Sequence, residues 1–159
     1  LKGYKLAYQP KAIASEYASF DVVEEKKRKV RIAAGGFQVL FGMPQLLNVF
    51  KYGIISFQYF SHKVLRWLIV PAAIPLLLIL NLAILYKDPS NSVFRILILL
   101  QSLFYLLAFL GRIARNTKTR LKMLFLPYYL LMMNIAVVQG FFRYLKGSQS
   151  AAWEKSKRQ

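Results

Sequence analysis

Three apolar stretches, residues 64–86, 96–110 and 121–142, are each nearly free of charge and limit what this chain can become. Crossing a hydrocarbon core about 30 Å thick takes roughly 20 helical residues. The first and third stretches reach that length, and the second does so with its flanks. A water-soluble domain of 159 residues can bury a core, but it cannot hide apolar runs this long. The sequence therefore reads as a membrane protein.

Charge gives that reading a direction. The chain carries 23 Lys and Arg against 6 Asp and Glu, a net charge of +17, and five of the six residues 26–31 are cations. Lys and Arg are retained on the cytoplasmic side and drawn to anionic lipid, which places residues 1–62 inside. The turn at 87–92 has little charge and suits the outer face. The next loop holds Arg112, Arg115, Lys118, Arg120 and Lys122 with no acid, and suits the inner face. Three crossings at 64–86, 94–111 and 121–142 then leave the tail outside. Arg143, Lys146, Lys155, Lys157 and Arg158 oppose that ending, so a third stretch that does not fully cross is the alternative. The cations lie beside apolar spans rather than along a stacking surface, which argues against nucleic acid as a partner.

Ahead of the spans, Tyr4-Lys5-Leu6-Ala7-Tyr8 alternates and reads as a strand ended by Pro10, with a second short strand expected at 11–16. One or two strands make no stable sheet, so their partners are expected upstream of Leu1. Asp21 is placed to cap a helix, with Glu24 three residues on. Val30, Ala33, Ala34, Phe37, Leu40 and Phe41 share one face of that helix. An apolar face with a cationic remainder predicts a helix lying in the membrane interface, the alternative being a helix packed on its own domain. Gly35-Gly36 is expected to loosen it. Pro44 should open a second short helix over 45–51 that Gly53 closes. His62, Lys63, Arg66 and Trp67 gather at the foot of the first span, where Trp and snorkelling cations suit the lipid boundary, and Trp153 is expected to anchor the tail in the same way. Pro71 and Pro75 predict a kink.

Little here looks catalytic. The six acids are scattered, and His62 is the only histidine. His62 suits a structural hydrogen bond or a headgroup phosphate. Cysteine is absent, which excludes disulfides and thiolate sites. No catalytic residue and no metal ligand is expected among these residues.

The order of several segments is more specific. Gly3-Tyr4-Lys5, Pro10-Lys11-Ala12, Glu16, Glu24-Glu25 and the run from Arg28 to Gln38 resemble the end of the catalytic domain of membrane-bound family-two glycosyltransferases. That group includes the hyaluronan, chitin, cellulose and bacterial poly-N-acetylglucosamine synthases. Residues 61–67 and 153–158 are also similar to its bacterial members, so the resemblance covers nearly the whole chain. It implies a cytosolic GT-A domain that binds a nucleotide-diphospho-sugar, Mg²⁺ or Mn²⁺ on the diphosphate, and inversion in one displacement. The metal ligands and the catalytic base would precede Leu1. Processive relatives carry a Q-x-x-R-W motif. At the matching positions this chain has Arg28 for the Gln, Arg31 for the Arg and Ile32 for the Trp. Arg31 thereby becomes a diphosphate or acceptor contact, or else a cation attracted to lipid or simply solvated. Arg28 and Lys29 are further candidates. Without the Trp there is no aromatic platform for a sugar ring.

These readings combine into a mainly α membrane protein. Residues 1–19 would end a truncated GT-A α/β domain, 20–62 would form amphipathic interface helices, 63–145 the transmembrane region and 146–159 a basic tail. The expected function is the anchoring, acceptor-side portion of an inverting glycosyltransferase of the bacterial inner membrane. It would serve a nucleotide-sugar donor and a lipid or glycan acceptor through the missing domain. The alternatives are a non-enzymatic adaptor that docks a cytosolic partner through the basic helix, and a non-selective anchor that binds anionic lipid.

Overall fold

The structure, a computed structural model, describes residues 7–13, 21–114 and 122–147. Among the described residues six α-helices follow one another: α1 (Val22–Gly42), α2 (Val49–Tyr52), α3 (Ile54–Tyr59), α4 (Val70–Lys87), α5 (Ser92–Ile113) and α6 (Lys122–Leu145). Three helical stretches are long and apolar enough to cross a membrane: Ile54–Lys87, Ser92–Ile113 and Met123–Leu145.

Among the described residues there is no strand, which corrects the expectation of leftover β-structure. Ala7–Ile13 contains a turn at Pro10-Lys11, closed by the Ala12 amide donating to the Gln9 carbonyl at 3.1 Å. Pro10 fixes φ and offers no ladder donor, so it favours a turn where no neighbouring edge supplies hydrogen bonds. Residues 1–6 and 14–20, which hold the rest of both expected strands and Glu16, lie outside the described residues.

The start of α1 follows the sequence. Asp21 Oδ1 accepts from the Glu24 amide at 2.7 Å, satisfying one of the free donors of the first turn. Glu24 binds forward rather than back, taking Lys27 Nζ at 2.7 Å. The helix runs unbroken through Gly35-Gly36, correcting the expected loosening. The reason is packing: a Cβ on Gly36 would collide with the Trp67 ring. The segment after Pro44 is also not one helix. A 3₁₀ turn (Pro44–Leu47) and α2 are separated by Asn48, whose side chain caps the Lys51 amide at 3.1 Å. Gly53, at φ +52°, ends α2 as expected.

Between α3 and α4 the helix widens into π-helical bonding over Phe60–Ile69. Pro71 explains this locally. It has no N–H for the preceding turn, and its ring crowds the carbonyl four residues back. The Val70 amide accordingly bonds to Leu65, one residue further than in an α-helix.

Two contacts set α4 against α5. The Tyr105 hydroxyl donates to the Ile74 carbonyl at 3.4 Å, and Asn81 Nδ2 donates to Gln101 Oε1 at 3.1 Å. The pairs run in opposite order, so the two helices form an antiparallel hairpin with Trp67 and Gly111 at the same end. α6 begins at that end, where a Cβ on Gly111 would strike the Leu124 carbonyl. It also finishes there. Phe141 stacks edge-on to Phe37 at 5.2 Å, and Phe37 to Trp67 at 5.5 Å. α6 thus packs on α5 from Gly111 onward and is linked to the Trp67 segment through Phe37.

α1 is strapped along α6 in the same chain direction. Val30, Ala33 and Ala34 meet Gly140, and further on Phe41 stacks on Tyr144 at 5.4 Å. Small residues let the backbones approach closely. Ala33, Ala34, Phe37 and Leu40 are buried in this seam, so most of the apolar face of α1 is covered by protein, with Phe41 at its end left half-exposed. Tyr59 closes the far end, its hydroxyl 3.1 Å from the Val39 and Leu40 carbonyls.

Candidate functional site

The basic block at the start of α1 is more ordered than a solvated charge run. Glu25 accepts from Arg28 through two bonds of 2.9 Å and also holds Lys29 Nζ at 3.3 Å. Spacings of three and four residues put these groups on neighbouring turns of one helix. Two of the three candidate phosphate ligands are thus bound to one carboxylate. Arg31 is half-buried, with its Nε sunk in the packing. The three do not form a shared open pocket.

Trp67 is turned into the protein rather than outward. It fills the space left by Gly36 and packs against Phe37, while Lys63 Nζ lies 5.6 Å above its ring, within cation–π range. His62 and Arg66 are exposed on the same segment. Trp153 lies outside the described residues. Among the described residues no three His, Cys, Asp or Glu side chains converge in a way that could hold a metal ion.

Sequence reasoning missed a cleft of mixed chemistry among the described residues. About 380 Å³ opens where α1, α5 and α6 meet. Its floor is Ala108, Tyr128 and Met132, all buried. Phe109 and Ile135 form walls that are themselves exposed on the outer surface, so the cleft opens sideways. Lys26 and Arg112 stand on its rim, and no acidic side chain lines it. Neither cation makes an ion pair among the described residues. Both were visible as members of basic segments. Their convergence was not, because they are 86 positions apart and meet only through the α1–α6 seam.

The cleft combines two cations and two tyrosine hydroxyls with apolar walls. It can hold an anion with an apolar body beside it. Compared with protein families, curated proteins and solved structures, the chain has no match.

Proposed function

We propose that this chain is the membrane-anchoring and acceptor-side portion of an inverting glycosyltransferase of a bacterial inner membrane. The observation that carries the reading is the seam between α1 and α6. The helix that bears the glycosyltransferase-like run, Arg28 to Gln38, is fixed to the membrane-seeking part through Ala33, Ala34 and Phe37. A cytosolic sugar-nucleotide domain joined to α1 would be held at a fixed height over the bilayer. In this reading Arg31 meets the departing diphosphate, for which a guanidinium is suited by its paired donors. Ile32 offers no ring for a sugar to stack on, so the transfer is not assigned to a processive polymerase.

The test needs the polypeptide with its sugar-nucleotide domain, in membrane vesicles supplied with labelled nucleotide sugars. Arg31→Ala should lower transfer by roughly tenfold to a hundredfold, the loss of one charged hydrogen-bonding partner, with insertion unchanged. Unchanged turnover removes Arg31 from the site. A wild-type protein that transfers no sugar from any donor supports the adaptor instead.

The same reading includes a path through the bilayer: residues 1–62 inside, α4 outward, α5 back, and α6 in the plane of the inner leaflet. α6 is long and apolar enough to cross, but α1 is strapped to it and carries seven ionisable residues between 24 and 31. Taking such groups to the bilayer centre costs about 2.5–3.5 kcal/mol each on insertion scales. In plane, the exposed row Met123, Leu126, Leu130, Val138 and Phe142 faces hydrocarbon, and the basic tail stays inside. A reporter fused after Arg158 should therefore be cytoplasmic. Activity on the outer face means that α6 crosses and α1 has let go.

A further inference from the structure

We infer that the cleft between α1, α5 and α6 is a binding site for one anionic phospholipid of the surrounding leaflet, its phosphate held between Lys26 and Arg112. This does not rest on sugar transfer and applies equally to an adaptor.

The argument begins with charge. Lys26 to Lys29 form four successive cations early in α1, and Glu24 and Glu25 hold three of them, Lys27, Arg28 and Lys29, in ion pairs. Lys26 makes no such pair and instead reaches the cleft rim, half-buried, opposite Arg112. Two cations over a cavity without an acid create a field that a phosphate diester satisfies. The Tyr128 side chain brings a further potential donor to the lining, and its hydroxyl makes no hydrogen bond among the described residues.

Shape and depth then select a lipid. A volume of about 380 Å³ takes a headgroup and the first carbons of a chain, with the rest left to the bilayer. Leu131, Met132 and Ile135 would be poor company for a soluble phosphate but suit acyl carbons. The opening between Phe109 and Ile135 faces sideways, where α5 meets hydrocarbon. Arg112 lies in the last turn of α5, at the end where the hairpin leaves the membrane, which is the depth of a phosphate.

Native mass spectrometry of the chain released from nanodiscs of mixed phosphatidylcholine and phosphatidylglycerol tests this. One phosphatidylglycerol should remain bound per chain, in excess of its share of the bilayer. Each cation near an anionic surface is worth about fivefold, so Lys26→Gln and Arg112→Gln should each lower retention by about that factor, and both together by more than tenfold. Lys27→Gln, on a paired and exposed neighbour, should leave retention unchanged. Added glycerol phosphate should not displace the lipid. Equal retention of the two lipids, or a double variant that retains phosphatidylglycerol like the wild type, overturns the site. Displacement by glycerol phosphate overturns the lipid assignment in favour of a soluble phosphate. Helicity by circular dichroism checks folding, and the exposed Arg112→Gln alone keeps the test valid if the double variant is unstable.

Discussion

The α1–α6 layer and the α4–α5 hairpin are both helical pairs, yet they are held by different means. The layer is zipped by small residues, Ala33 and Ala34 against Gly140, and locked by rings from Phe37, Trp67, Phe141 and Tyr144. The hairpin has two polar clips and turns many of its large side chains outward. Leu76, Leu77, Ile79, Leu80, Leu99 and Leu100 are each about half exposed or more. Lipid is as apolar as Leu, so burying those side chains against protein gains little there. On the in-plane course proposed for α6, the α1 face lies beside headgroups and water, where covering Phe37 does gain. That course would make packing tight where the solvent is polar and sparse where it is not.

Breaking the tight side should have the largest effect. Phe37 is 1% exposed and touches four other rings, so Phe37→Ala should destabilise the α1–α6 layer by about 3–5 kcal/mol. Amide exchange in nanodiscs should show α1 losing protection while α5 keeps it. Uniform loss across both pairs would mean that layer and hairpin are one cooperative unit, and the contrast fails.

The sparse side should respond less. Asn81 is buried, with its Nδ2 on Gln101 and its Oδ1 without a partner. Such interhelical bonds in bilayers average about 0.6 kcal/mol. Asn81→Leu removes the bond and an unsatisfied oxygen together, so the net change should stay within about 1 kcal/mol. Unfolding measurements in mixed micelles would show it. A loss of several kcal/mol would make the clip, not lipid, the main restraint on the hairpin.

The difference between the two pairs also separates what the sequence made legible from what it hid. The apolar stretches need only length and composition to be seen, and the helical stretches Ile54–Lys87 and Ser92–Ile113 contain the first two of them. The Asp21 cap is a local signal and was equally plain. The role of Gly35-Gly36 was misread because a glycine that loosens a helix and one that admits a Trp ring look alike until the ring is located. The contact of Trp67 with Phe37 was hidden in the same way, because the two are 30 residues apart. The in-plane course proposed for α6 depends on a contact with α1, and hydropathy carries no record of contacts. The tail's positive charge was the one hint of it.

The smallest effect concerns the turn that joins the hairpin. Asp88 Oδ1 accepts from the Ser90 hydroxyl at 2.6 Å and the Ser90 amide at 3.2 Å. The Ser90 hydroxyl bond is the main cause holding the carboxyl below its usual value, with Asn91 and the charge on Arg95 adding to it. Because the folded value is depressed, the contribution is fully present above the unfolded carboxyl value of about 3.9 and is lost as pH falls through the lower folded value. The group is fully exposed, so water screens the effect and only local opening should report it. Amide exchange around Ser90 and Asn91 should be faster in Asp88→Asn than in the wild type near neutral pH, and the difference should close below about pH 4. A difference that persists unchanged into acid would assign the turn's stability to Pro89 and the Asn91 cap of α5 rather than to the ionised carboxylate. The hairpin would then be joined, as it is packed, with almost no help from charge.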